Sequence, residues 1–388
     1  VETDTIVACF GSTTGIMIMS MFVVAAGFRR TKFISMLAGT IAKLAHGNFT
    51  TVMLCYMIAA FILAQFLQSD MIPFSILLPL LLTSVEESGH SHSEAAFSLG
   101  LVCITTVSVL PIGGGAVTYA ELNATLQANG STAQMLITDP MRARLPVAVL
   151  MVVFAIWFAP KFAPKKTASA RRNAELPTAQ QQPRETLSPF AERMGYLIFI
   201  AVSIGLLFSS QLGIADWLIA LLGALLMVAC GVLTPAQAVS GMPLWVYFLY
   251  VSGIIMANAL NTTGAGAWIG GLFAQLLGST QNPLLLYLFF FIGPYVLAQF
   301  ILNRTALSIF MPITIQTCLT LGLNPIGPCL MVLSAVLSAF LTPMTTATVS
   351  YMMDSGGYDY KTMLRMSALP SLLCAAGNII WFSLAFAL

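Results

Sequence analysis

The sequence predicts an all-α polytopic membrane protein built from two inverted-topology repeats, each with a re-entrant helical hairpin and a broken transmembrane helix. Three observations carry that prediction. The chain of 388 residues is 58% hydrophobic and only 8% charged, where a soluble domain carries roughly 25% charged residues, and its mean hydropathy is +0.89. Long apolar runs are interrupted by polar breaks at Ser69-Asp70, at Pro111 to Gly115, at Asn303-Arg304-Thr305 and at Thr342 to Thr346. In hydrocarbon an unpaired backbone amide or carbonyl costs several kcal/mol, so such a break survives only where protein buries it or where it lines a wet cavity. Finally, a single shift of about 232–234 residues lays Arg30-Thr31 on Thr262-Thr263, Ser69 on Asn303 and Leu110-Pro111 on Thr342-Pro343, and matched broken helices mark transporter repeats.

The elements follow in order. Thr5 to Phe28 is long enough to span at about 1.5 Å per residue. Its glycines and Ser12-Thr13-Thr14 suit close helix packing. Thr31 to His46 is amphipathic, with Phe33, Leu37, Ile41 and Leu44 on one face and Arg29, Arg30 and Lys32 beside it, and reads as a helix in the interface plane. Thr51–Leu67 and Ile72–Val85 are too short for two full spans and form a hairpin with its tip at Ser69-Asp70. Glu86 to Glu94 is a polar loop. Ala95 to Leu110 breaks at the glycines 113–115, Val117 to Leu126 continues as a half-helix, and Leu145 to Pro160 spans. These residues, 1–160, are the first repeat.

Residues 161–193 change character. They hold Lys161, Lys165, Lys166, Arg171, Arg172, Arg184 and Arg193 and read as a linker, cytoplasmic by the positive-inside rule. The second repeat, 194–388, opens with spans Met194–Gln211, Asp216–Val232 and Leu244–Leu260. Ala265 to Leu277 carries no charge, unlike its counterpart Thr31 to His46, which places the two on opposite sides of the membrane and inverts the halves. Leu284–Leu302, Ala306–Leu321 and Pro328–Leu341 surround the two later breaks, and Leu369–Leu388 closes the chain. The second half has two spans before the matched region and the first half almost nothing, so the repeat predicts about 40 further residues upstream.

The four breaks converge on one candidate substrate site: Ser69, Asp70, Asn303, Arg304, Thr305, Thr342, Pro343, Thr345 and Thr346. Thr342 to Thr346 reads either as ligand contact or as hydrogen bonding between helices. Gln65, Gln68 and Gln299 read as partners for backbone groups beside the tips. Glu121 and Asp216 read as interfacial. His90 and His92 with Glu86, Glu87 and Glu94 form a solvated loop rather than a metal site, since nothing fixes a ligand geometry. The seven cysteines lie in apolar segments without metal spacing and read as free thiols. A net charge of +2 does not suit nucleic acid. No histidine lies within a span, and no HExxH or GxSxG motif occurs, so no catalytic residue or metal is assigned.

At the tips the sequence resembles the divalent anion/sodium symporter family, dicarboxylate, citrate and sulfate carriers of the ion transporter superfamily. Asn303-Arg304-Thr305-Ala306 ahead of Pro312, and Ser69-Asp70-Met71 ahead of Pro79, are similar to that family's Ser-Asn-Thr tips followed by proline. Thr342-Pro343-Met344-Thr345 is similar to its later breaks. The resemblance implies a homodimer in the lipid bilayer with a scaffold and a moving transport domain, tip residues on substrate carboxylates, and sodium held by tip side chains and carbonyls of the unwound breaks. Ser69, Asp70, Gly113, Gly114 and Gly115 are the candidates for the coupling cation, with Gly113–Gly115 read alternatively as a flexible turn.

Two departures stand out: Asp70 and Arg304 replace the family's tip asparagines. A guanidinium has no acceptor and cannot ligate sodium. Arg304 reads as a bidentate clamp on a substrate carboxylate, as a tethered cation, or as a salt-bridge partner of Asp70 that closes the site. Asp70 reads as a sodium ligand or as a proton carrier. The resulting expectation is an elevator-type carrier of di- or tricarboxylates in the cell inner membrane, coupled to sodium or protons or working by anion exchange, with no other cofactor. The alternatives are a cation/proton antiporter of the same superfamily and an intramembrane enzyme.

Overall fold

In the computed structural model the regular structure among the described residues is entirely helical. The structure describes residues 3–386 except 34–35, 37–38, 41–47, 68, 165–186, 243, 266–267, 269–270, 273–274 and 276–281. The expected interface segments Thr31–His46 and Ala265–Leu277, Gln68 and most of the linker 161–193 therefore lie wholly or largely outside the described residues.

The first half runs α1 (Thr3–Phe10), α2 (Thr13–Arg30), α3 (Phe49–Phe66), α4 (Met71–Glu87), α5 (His92–Thr106), α6 (Gly114–Ala128) and α7 (Asp139–Trp157). The second runs α8 (Pro189–Leu207), α9 (Asp216–Ala229), α10 (Leu244–Thr263), α11 (Pro283–Leu297), α12 (Asn303–Leu321), α13 (Ile326–Leu337), α14 (Ala347–Gly356) and α15 (Tyr360–Ala385). Ile6–Arg30, Phe49–Phe66, Asp139–Trp157, Pro189–Leu207 and Tyr360–Ala385 are long and apolar enough to cross a membrane.

Several boundaries differ from expectation, and local hydrogen bonds explain them. The first span divides at Gly11-Ser12, where Ser12 Oγ accepts from the Gly15 amide (3.1 Å) and caps α2. α8 starts at Pro189 rather than Met194: Ser188 caps it through the Ala191 amide (3.2 Å), and proline suits the first helical position. α15 starts at Tyr360 rather than Leu369, because Asp359 accepts from the Thr362 amide (3.2 Å). The hairpin arm α3 has 18 residues and is itself long enough to cross, so length alone does not force it to turn back.

α5 is buried on every side from Ala95 to Thr106, and α13 from Gly327 to Val336. A helix apolar all round belongs at the centre of a bundle, and both of these end in a break. Around them the apolar core falls into three clusters. One joins α3, α4, α5 and α7 with Val349 and Met352 of α14 and Met363 of α15. A second joins α11, α12 and α13 with Leu122 and Leu126 of α6 and Phe382 of α15. The third joins α2, α8, α9 and Tyr250, Val251 and Ile254 of α10.

Candidate functional site

The site is assembled by two glutamines. Gln65 sits near the end of α3, just before the first tip. Its Nε2 donates to the carbonyls of Phe61 and Thr106 (both 2.8 Å), and its Oε1 accepts from the amides of Val109 (3.0 Å) and Leu110 (2.9 Å). Gln299 sits just after α11, before the second tip. Its Nε2 donates to the Tyr295 carbonyl (3.2 Å), its Oε1 accepts from the Leu341 amide (3.0 Å), and its own carbonyl accepts from Thr342 Oγ1. Each glutamine thus ties a hairpin to the unwound end of its neighbouring central helix. The backbone groups freed by a break need such partners, and a side-chain amide supplies donor and acceptor together.

The first break is kept tight by glycine. Gly113 has φ +52°, and an added Cβ would lie 2.8 Å from the Gln65 carbonyl oxygen. At Gly115 a Cβ would overlap the Leu110 carbonyl oxygen. Ser108 holds φ +54° while its amide donates to the Ala64 carbonyl (3.3 Å). A non-glycine residue in the left-handed region stores strain.

The tips meet the second break. Asp70 Oδ2 accepts from Thr346 Oγ1 (2.7 Å), and the Asn303 amide donates to the Thr345 carbonyl (3.4 Å). Two hairpins from opposite halves of the chain therefore touch adjacent residues. Thr345 is fully buried, and its Oγ1 donates to the Thr342 carbonyl (2.9 Å). Thr346 also caps α14, accepting from the Thr348 amide (3.0 Å). The Pro343 carbonyl accepts from Ser350 Oγ (3.0 Å), and Ser69 Oγ accepts from the Met71 amide (3.3 Å). Thr305 lies half-buried in the first turn of α12. The buried Asn303 presents an Oδ1 with no hydrogen-bond partner.

Arg304 does not pair with Asp70. Its Nη1 donates to Glu121 Oε2 of α6 (2.7 Å), and the two side chains are 27% and 17% exposed. Glu121, which the sequence placed near an interface, is thus the ion-pair partner of Arg304. A second cation, Arg144 of α7, was not among the sequence candidates. It is 4% exposed, and it donates to the carbonyls of Thr105 (3.2 Å), Val107 (2.7 Å) and Ser108 (3.4 Å). Arg144 stands just before the apolar run Leu145–Pro160, beside Asp139 and Arg142, where a charge carries no local signal of burial.

The glycine carbonyls are committed within α6, Gly113 to the Val117 amide (3.4 Å) and Gly114 to Thr118 Oγ1 (3.0 Å). Both are ordinary helical bonds, and each carbonyl keeps a second lone pair. In the polar loop His90 pairs with Glu94 (3.2 Å) and His92 with Glu86, two separate pairs. No cluster able to hold a metal occurs among the described residues.

Apolar helices of spanning length, with two hairpin tips converging on a broken helix, define a multi-pass integral membrane protein. The citrate transporter family matches residues 1–215 and 196–387, and the chain belongs to that family. It is 26% identical over 304 residues to the L-tartrate/succinate antiporter of Shigella sonnei and 26% identical over 307 residues to that of Escherichia coli K12, covering 76% of this chain in each case. The chain spans 61% of the length of both relatives. An uncharacterized transporter of Synechocystis is 27% identical over 146 residues, 38% of this chain and 24% of that protein. The YdaH transporter of Alcanivorax borkumensis shares the fold, with a TM-score of 0.67 at 14% identity over 99% of this chain and 89% of that one. The family resemblance drawn from the tips holds.

Proposed function

We propose that the protein is an elevator-type secondary carrier of small di- or tricarboxylates. The observation that carries this reading is the Arg304–Glu121 pair: a cation at the start of α12, in the second tip, already holds a carboxylate at 2.7 Å. A guanidinium suits a carboxylate geometrically, and the N-terminus of α12 adds its partial positive charge. In the resting site Glu121 stands where a substrate carboxylate binds. Asp70, Asn303, Thr345 and Thr346, joined by the tip contacts, and Thr305, one residue from Arg304, are assigned the role of orienting the remainder of the anion. Membership of the citrate transporter family supports the substrate class, as do relatives that exchange tartrate and succinate.

The wider reading keeps the expected organisation. The α2–α8–α9–α10 cluster serves as scaffold, and the two hairpin clusters move together as the transport body. Residues 1–160 and 194–388 act as inverted repeats, a cytoplasmic linker joins them, and the working unit is a homodimer in the inner membrane. A cation substrate is disfavoured by Arg304 beside the tips.

The test is uptake of labelled succinate and citrate into proteoliposomes, with sodium and pH gradients imposed separately, for the parent, Arg304→Asn and Asp70→Asn. Loss of one member of a charged pair in a binding site raises the half-saturating concentration by about tenfold or more, and Arg304→Asn is expected to do so. Unchanged anion uptake in Arg304→Asn overturns the site. A pH-driven sodium flux needing no anion makes the protein a cation antiporter instead.

A further inference from the structure

The resemblance to sodium symporters implies a sodium ion at each unwound break, and the residues of the first break do not fit one. A helix ends with four carbonyls that lack partners. At the first break they include those of Thr105 and Thr106 in α5 and of its C-cap Val107, and the Ser108 carbonyl lies just beyond. Gln65 takes Thr106, and Arg144 takes the other three. Arg144 is almost wholly buried, and none of the ion pairs among the described residues includes it. A guanidinium stays charged under all ordinary conditions, and a buried charge without a counter-ion persists only where dipoles solvate it. The C-terminus of α5 supplies them, since its carbonyls carry the negative end of the helix dipole.

We propose that Arg144 is the resident cation of the first break: its guanidinium fills the carbonyl cage that a sodium ion would otherwise occupy, so no sodium binds there. The second half differs. α15 follows its break as α7 follows the first, and it buries Ser367, Ser371 and Asn378 but no cation. At the second tip Asn303 Oδ1 remains a buried oxygen without a donor. A sodium dependence, where present, is confined to that half.

The proposal uses the carrier reading only for its transport assay. A stability assay on the purified full-length protein stands apart from it. Arg144→Ala leaves three carbonyls facing a vacated cationic space. In sodium-free choline buffer it is expected to lose most uptake and to melt lower than the parent, and millimolar guanidinium or sodium is expected to restore both in part. Arg144→Lys, which keeps a charge there, is expected to transport without sodium. A merely structural arginine gives no cation response. The proposal is overturned if Arg144→Ala is indifferent to every added cation, if it behaves as the parent in choline, or if Arg144→Lys fails to fold or to transport. If the parent carries neither succinate nor citrate, the carrier reading fails, while the melting response of Arg144→Ala still decides the cation question.

Discussion

An arginine buried beside a helix break is stable only with an anion or a set of dipoles around it. The two site arginines take one solution each: Arg304 takes the carboxylate of Glu121, and Arg144 takes three carbonyls. The first solution is exchangeable, because an incoming carboxylate offers Arg304 the same bond. On the proposed carrier reading, Glu121 competes with substrate. A part-exposed ion pair contributes at most about 1 kcal/mol, so Glu121→Gln is expected to raise the apparent affinity for succinate or citrate by about fivefold. Competition of labelled anion by unlabelled anion in proteoliposomes measures this, and an unchanged or weakened affinity contradicts the competition. Asp70 and Arg304 were legible because a charge in an apolar run is costly and therefore purposeful. Glu121 met the same criterion yet read as interfacial, since its partner lies 183 positions away and no local pattern shows it. Arg144 was hidden similarly, because only folding brings it to the end of α5.

At the scale of elements, the fold depends on how each hairpin is fastened to a broken helix. Gln65 satisfies three groups across the first break, the Thr106 carbonyl and the Val109 and Leu110 amides, whereas the Gln299 side chain satisfies only the Leu341 amide across the second. A buried backbone group left without a partner costs about 1–3 kcal/mol. Gln65→Leu is thus expected to destabilise the protein by at least about 3 kcal/mol, and Gln299→Leu by about 1–3 kcal/mol. Thermal unfolding in detergent checks the order, and equal melting temperatures contradict the asymmetry. The sequence showed the hairpins and breaks because apolar runs and polar interruptions are local. It showed the glutamines as satisfiers of backbone groups but not their targets. Helix starts moved where caps decided them, at Ser12, Ser188 and Asp359, since a single side-chain hydrogen bond outweighs the average hydropathy of a window.

At the scale of the molecule, the question is whether the scaffold cluster and the hairpin clusters slide as separate bodies. Their meeting surface includes an aromatic patch at the first tip. Phe66, at the end of α3, lies 5.2 Å from Phe28 of α2, 5.3 Å from Phe33 and 5.4 Å from Phe199 of α8, measured between ring centroids. Aromatic contacts of this kind are favourable but lack hydrogen bonds that would fix register, so they suit a surface that shifts. A covalent tie across it must then arrest transport. In a variant whose seven cysteines are replaced, Phe28→Cys with Phe66→Cys, joined by a short reducible bifunctional reagent, is expected to stop anion uptake, and reductant to restore it. The control is Phe74→Cys with Tyr351→Cys, rings 5.5 Å apart within one hairpin cluster, where the same tie is expected to leave uptake intact. Uptake that continues with the Phe28–Phe66 link complete means that the tip and scaffold do not separate during the cycle. The anion would then have to cross by local rearrangement of the breaks around a fixed site.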